Sequence, residues 1–459
     1  MVSGAAHDRS ESPEENPVAT VVPFRAWRYD LEVAGNLYNV TAPPYDVIGH
    51  IFRDELYELS PYNVVRVDFG RTSTHDTDAD NRYTRAADLV EEWRAESILV
   101  RDEEPTITVV EESYTGPDGR PRSRRGFLAL VKLQDFSEGV VFPHEATLSG
   151  PKRDRYRLME ETCMNLSPVF MLYSLPDDAI MATWDAVAGN TPPSATMTDP
   201  AGNTTSLWPT SDPAVISAAS SRLANAPLLI ADGHHRYETA LAYRDARHAA
   251  GDGDGPWDYA LVYLCNMEDP GLAIFATHRL LHGLNEDLIQ GLPEALSRFF
   301  TLEPLTDDPR ETEAAIAAYL EARLAQGGAF GLYGPSLGTA YGLALRDPHA
   351  PETAADDMHS QAYHRLDVAI LHNVILSEIL CITQEDVAAG QYVTFVKNWD
   401  RGFERLATGE SQIGFFMNPI KLRQVHEVAL GGERLPQKST YFYPKLPTGL
   451  LFHDLRNAK

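Results

Sequence analysis

Leu229-Ile230-Ala231-Asp232-Gly233-His234-His235-Arg236-Tyr237-Glu238-Thr239-Ala240 is the stretch on which the reading of this chain turns. The apolar run Pro-Leu-Leu-Ile-Ala at 227–231 reads as a short strand. Gly233 breaks it, and helical spacing follows from about 236 to 250. A helix N-terminus just past a strand end presents unpaired backbone N–H groups and a partial positive charge. Gly233 lets the backbone approach a ligand closely, and His234, His235 and Arg236 add side-chain donors. This set suits phosphate, with Gly233, His234 and Arg236 as ligands and the guanidinium bidentate. Asp232 is expected to cap the helix, orient His235 or hold Mg²⁺. The competing reading is an Asp-capped helix with two solvent-facing histidines. Adjacent histidines point in different directions, which argues against a two-His metal site.

Outward from this loop the strands YALVYLCN (259–266) and GLAIFATHRLL (271–281) follow. On the N-terminal side, 63–69, 106–112 and 125–133 are β-rich, with a GPDGR turn at 116–120 predicting a hairpin. Residues 81–97 and 213–225 have helical character. The polar stretch 176–213 reads as a linker or as a hairpin turning at DPAGN. Beyond 285, helices at 286–299, 309–326, 363–379, 399–407 and 420–430 alternate with strands at 328–333, 340–346, 392–396 and 412–417. Phe299-Phe300 and Phe415-Phe416 read as core. The pattern predicts a mixed α/β (α+β) protein. Its parts are a disordered acidic tail (1–20), a β-rich α+β domain (21–185), a loop-bearing segment (186–285) and an α/β region (286–459).

The chain has 459 residues, enough for about three domains at roughly 150 residues each. Its 66 acidic and 39 basic residues give a net charge of −27, which disfavours nucleic-acid and anionic-membrane partners. Only seven of the basic residues are lysines, a balance that suits either a high-salt cytoplasm or a GC-rich genome. Cys163, Cys265 and Cys381 form no CxxC pair, so neither a disulfide framework nor a Cys-rich zinc site is expected. No signal peptide or membrane-length apolar run is visible, and a cytoplasmic location is expected.

Other segments carry chemistry. His144-Glu145 lies near Lys152 and Arg153, a carboxylate beside cations that suits general-base activation of a hydroxyl with phosphate held close by. A surface ion-pair cluster is the alternative. Ala42-Pro43-Pro44-Tyr45-Asp46 is stiffened by its prolines and presents Asp46 to a substrate amine or a metal, or else is a plain turn. Asn266-Met267-Glu268-Asp269-Pro270 follows a strand end; Glu268 and Asp269 are candidate Mg²⁺ ligands, or members of a turn. Lys438, Ser439 and Thr440 suit a phosphate or carboxylate, or pack on an edge strand; the P-loop frame is absent. His278 in Thr277-His278-Arg279 reads as a structural hydrogen-bonder.

In order along the chain stand Pro23-Phe24-Arg25-Ala26, Ala42-Pro43-Pro44-Tyr45-Asp46-Val47-Ile48, Ser60-Pro61-Tyr62-Asn63 and Pro143-His144-Glu145. Then come Asn165-Leu166-Ser167-Pro168, the loop at 231–240, Asn266–Pro270 and Pro436 to Lys445. With these motifs the chain resembles, from about Val22 to Leu451, the bacterial and archaeal family catalogued as domain of unknown function 1015. The Asp-Gly-His-His-Arg loop is in addition similar to the phosphate loop of ParB/sulfiredoxin-like free serine kinases. That likeness implies a nucleotide-binding core of the same type and a kinase. It would transfer phosphate from ATP, ADP or pyrophosphate to a metabolite hydroxyl, L-serine first, with Mg²⁺ as cofactor. In this reading Glu145 or Asp46 is the base, and Asp232 and His235 assist. Gly233, His234, Arg236, Lys152 and Arg153 hold phosphate, while His144, Asn266, Lys438, Ser439 and Thr440 hold substrate. The alternatives are a non-enzymatic ParB-like nucleotide switch and a metal-dependent phosphodiesterase or nuclease. The oligomeric state is left open.

Overall fold

The computed structural model describes residues 18–116, 119–347 and 359–456. All but the last three residues of the expected acidic tail lie outside this range, as do Pro117-Asp118 at the tip of the expected turn. The fold is mixed α/β. Among the described residues, nine strands form the larger sheet. Eight of them run in the order Val141–Pro143, Leu228–Asp232, Val169–Tyr173, Tyr259–Asn266, Pro121–Lys132, Ile107–Thr115, Thr204–Thr210, Ala195–Thr198, and Val21–Val22 pairs with Pro121–Lys132. Side chains alternate along its strands between two cores: Phe127, Ala129 and Val131 pack on one face, Leu128 and Leu130 on the other. The sheet is thus covered on both sides, which explains its continuous apolar runs. Helices Pro213–Leu223 and His234–Ala249 cover one face, and Trp93 of helix Arg82–Ala95 joins the core of the other.

A second, antiparallel sheet of six strands orders Phe300–Thr306, Ala340–Leu345, Ala329–Tyr333, Ile413–Met417, His278–Leu281 and Val393–Val396. Leu281 and Phe415 join the core cluster that also holds Leu128 of the larger sheet, so one apolar body runs through both. The larger sheet takes strands from both 21–185 and 186–285. No helix among the described residues is long and apolar enough to cross a membrane.

Several local expectations need correction. Residues 63–69 are not a strand: Val65–Asp68 is a helical turn. The Asn63 side chain accepts the Val65 N–H (2.9 Å) and donates to the carbonyls of Asn39 and Thr41, and this capping outweighs the β-preference of three valines. The loop helix starts at His234, not 236. The run 271–281 is two strands in different sheets, Ala273–Phe275 with Tyr441–Tyr443 and His278–Leu281 in the six-stranded sheet. Within 176–213 the hairpin is present, pairing Thr204 with Thr198, and a helix, Ala179–Ala188, precedes it. Phe300–Thr306 is an unforeseen edge strand with a register shift at Pro304, a tolerable place for proline. The helix expected over 363–379 is broken into Gln361–His364, Asp367–Ile370 and a π-helical segment, Leu371–Ile379. Phe300, Phe415 and Phe416 are buried, and His278 accepts the Met417 N–H with its Nδ1.

Candidate active site

The strands Val141–Pro143 and Leu228–Asp232 pair in parallel, Ile230 opposite Pro143. Their C-terminal ends therefore lie side by side, bringing His144-Glu145 next to Asp232-Gly233. In parallel α/β sheets ligands bind at such C-terminal strand ends, and this parallel pair offers one within a mostly antiparallel sheet. The segment after Leu435 crosses it: Leu435 N–H donates to the His144 carbonyl (2.7 Å), and Tyr441–Tyr443 then pairs with Ala273–Phe275. Thr448 bridges to Ala42 and carries the Pro44–Val47 turn to the same place.

Between these segments is a cavity of about 300 Å³. Its walls include Asp46, Glu145, Asp232, Gly233, His234, His235, Arg236, Lys438 and Thr440. Tyr45, Gln437, Tyr441 and Lys445, not singled out in the sequence as site residues, line it too. Gly233 holds φ +89 and starts helix His234–Ala249, which has no side-chain cap. The first-turn N–H groups thus remain available to an anion.

Asp232 does not cap this helix. Its carboxylate accepts from Lys445 Nζ and from Arg236 (2.7 Å). Burial opposes ionisation of Asp232, but the Lys445 and Arg236 charges outweigh it and hold the carboxyl far below its usual range. Arg236 also donates to Ser167 Oγ (2.7 Å) and to the Pro168 carbonyl. Both terminal nitrogens of its guanidinium are engaged, so Arg236 anchors Asp232 instead of presenting a free fork.

His144 is fully buried. Its Nδ1 meets the Ile230 carbonyl at 2.6 Å, and its Nε2 meets Thr440 Oγ1 at 2.9 Å. Since a carbonyl only accepts, Nδ1 carries the proton and Nε2 accepts from Thr440. Burial brings His144 down to about 4, so the ring is neutral. His234 stacks edge-on against it (4.6 Å) and is pushed well below its usual value by burial and by His144. His235 Nε2 accepts the Leu148 N–H (2.9 Å). His234 and His235 shape the wall as neutral groups; His144, with both ring nitrogens engaged, is packed behind them and does not line the cavity, so it is not placed to touch a substrate there.

Burial pushes the Glu145 carboxyl up, against the pull of Lys438. Glu145 accepts the Lys438 N–H, and Lys438 sits in the left-handed region at φ +57. Lys397 approaches the Tyr441 ring at 3.9 Å; burial, then repulsion from Lys445, brings it down to about 8. Lys152 pairs with Glu238 (2.9 Å) on the loop helix. Four of the chain's seven lysines thus gather at one place in a strongly acidic protein. Lys445 and Lys397 were missed in the sequence; the scarcity of lysine, seven in 459 residues, was a signal that could have drawn attention to them.

Other candidates lie elsewhere. Asn266 is buried and ties the 173–178 loop through Leu175. Asp269 accepts the Gly271 and Arg125 N–H groups, and Glu268 accepts from Ser174. None of the three lines the cavity. Ser439 is buried against the Pro436 carbonyl, and Arg153 is exposed on helix Ser149–Thr162. Among the described residues, a group with metal-type ligands, His248, Asp254 and Asp258, lines a different cavity.

The family model described as Protein of unknown function (DUF1015) matches residues 21–369. The chain belongs to the DUF1015 family. The match ends before the 435–445 segment that closes the cavity of this DUF1015 chain, short of the Leu451 limit expected from motifs. No curated protein sequence matches it. Among solved structures, a free serine kinase in complex with AMP is similar at 14% identity and a TM-score of 0.36, covering 69% of this chain and 88% of its own. A variant of free serine kinase in complex with ADP gives 12% and 0.35, with the same coverage. A conserved hypothetical protein from Pyrococcus furiosus gives 14% and 0.32, covering 67% of this chain and 89% of its own.

Proposed function

We propose that this protein is a small-molecule phosphotransferase that moves a phosphoryl group from a nucleotide or pyrophosphate to a metabolite hydroxyl. The observation that carries the reading is the cavity itself. An uncapped helix N-terminus, Lys438 and Lys445 face two carboxylates, Asp46 and Glu145, that no cation among the described residues holds in a contact ion pair. The cationic side suits the anhydride phosphates, and phosphoryl transfer asks mainly for positioning and charge neutralisation.

Glu145 is the base: its raised carboxyl takes the acceptor's hydroxyl proton as the new O–P bond forms. The donor's bridging P–O bond breaks, and the leaving phosphate oxygen keeps the electron pair. Lys438 and Lys445 balance that charge. Asp46 is exposed on the cavity wall with no hydrogen bond or ion pair among the described residues, and would hold a Mg²⁺ bound to the donor. The ion would draw charge from the phosphates. The likeness of the Asp-Gly-His-His-Arg loop to that of free serine kinases makes L-serine the first acceptor to test.

The test is a ³¹P NMR series with Mg²⁺ and ATP, ADP or pyrophosphate, with and without L-serine. A phosphoserine signal requiring both donor and serine is expected. Lys438→Met should lower kcat/KM by about 10- to 100-fold. Full activity in Lys438→Met, or no donor turnover with any acceptor, would sink the reading.

A further inference from the structure

Behind Lys438 lies a cation that the transfer chemistry leaves unused. Arg279 has no exposed surface, and no carboxylate lies in ion-pair contact with it among the described residues. It donates to the Thr277 carbonyl, to the Lys438 carbonyl (3.3 Å) and to His372 Nε2 (3.3 Å), and its Nε–H finds no acceptor. A buried guanidinium without a contact counter-ion is costly, and a nearby anion relieves that cost.

Arginine only donates, so His372 Nε2 must accept. Burial pushes His372 far down, so its ring is neutral and its proton sits on Nδ1. His372 lines a second cavity, of about 340 Å³, with Tyr363, Gln384, Arg434 and Gln437. The Nδ1–H is the ring donor left for it. His372 stands in the π-helical Leu371–Ile379, a conformation that recurs at functional positions. Ala146 and Gln437 line both cavities, and Ala146 follows Glu145.

We propose that the second cavity is the acceptor subsite and recognises the carboxylate of a hydroxy acid or hydroxy amino acid through His372 Nδ1–H and Arg434, whose guanidinium gives one terminal nitrogen to Glu238 (3.3 Å) and keeps its other donors for the ligand. The acceptor's hydroxyl then reaches past Ala146 toward Glu145. Arg279 is a positioning residue: it fixes the His372 tautomer and pins the Lys438 carbonyl. Glu385 lines the same cavity and favours an acceptor that also carries an ammonium. The fate of the hydroxyl rests on the phosphotransferase reading; the carboxylate recognition does not.

Calorimetric titration of the full chain with L-serine, glycerate and serinol tests this, since serinol lacks the carboxylate. L-serine and glycerate should bind, and serinol at least about tenfold more weakly than L-serine. His372→Phe should abolish the discrimination between L-serine and serinol. Long-range ¹H–¹⁵N spectra of the wild-type protein should show His372 protonated on Nδ1, the tautomer that leaves a ring donor for the carboxylate. Equal binding of serinol, an Nε2–H tautomer, or discrimination surviving in His372→Phe would overturn the proposal. So would adenosine binding lost in the same variant, which would give the cavity to a nucleoside. Carboxylate binding without pyrophosphate binding or turnover would instead sink the transfer reading alone.

Discussion

Gly233 shows how one residue ties conformation to chemistry. At φ +89 an added Cβ is strained, and it would stand 2.8 Å from Arg236 Nε, on the guanidinium that anchors Asp232. Gly233→Ala should therefore destabilise the protein by about 1–2 kcal/mol, read from a urea midpoint, and weaken pyrophosphate binding in the same sample. Glu145 makes a different prediction. Its pKa lies above the usual carboxylate value, and a base works only when ionised. Activity should fall as pH drops through that raised pKa, and Glu145→Gln should lose about 10²- to 10⁴-fold and the acid limb with it. An unchanged limb in the variant would assign the base elsewhere. Much of this wall was legible from residue types: Asp46, Glu145, the 232–236 loop, Lys438 and Thr440 all line one cavity. What residue types did not reveal was engagement. Arg236 is held by Asp232, Ser167 and Pro168, and Asp269 by two backbone N–H groups, because folding brings partners from distant positions.

At the scale of elements, helices whose apolar spacing and caps agree were readable. Trp399–Ala407 has the predicted bounds and an Asn398 cap. Pro213–Leu223 starts at Asp212, whose side chain accepts the Ala214 N–H at 2.8 Å with proline at the first helical position. Asp212→Ala should cost about 1 kcal/mol by thermal melting with no change in donor affinity, because the helix lies away from the cavity. Elements whose local signals conflict with packing were not readable. Val65–Asp68 has a strand's composition, yet Asn63 folds it into a turn against helix Arg82–Ala95. The π-helical Leu371–Ile379 has ordinary helical periodicity, and nothing in its composition marks the wider turn that carries His372.

For the whole molecule, neutral buried histidines set the acid limit of stability. Burial holds His144 and His453 down to about 4 and His278 to about 3, against 6.5 for a free side chain. Below pH 6.5 the unfolded chain takes up protons before the folded one does. The stability these rings contribute is full above that pH and is lost as pH falls from 6.5 toward 4. The melting temperature should drop across this window; a flat profile would contradict their neutral burial. The charge of −27 adds repulsion that salt screens, so melting at fixed pH should rise with ionic strength.

By itself the sequence determined the fold class, most strands and helices, the strand–glycine–helix loop and the family, because these follow from periodicity, turn residues and long ordered motifs. Tertiary structure alone decided that His144-Glu145 and Asp232-Gly233 lie abreast, since that depends on a parallel pairing between strands some 87 residues apart in register. It also decided that Lys445 reaches Asp232 and that Arg279 fixes His372. Such contacts depend on which distant backbones meet and which charges lose water together, and no local pattern encodes either.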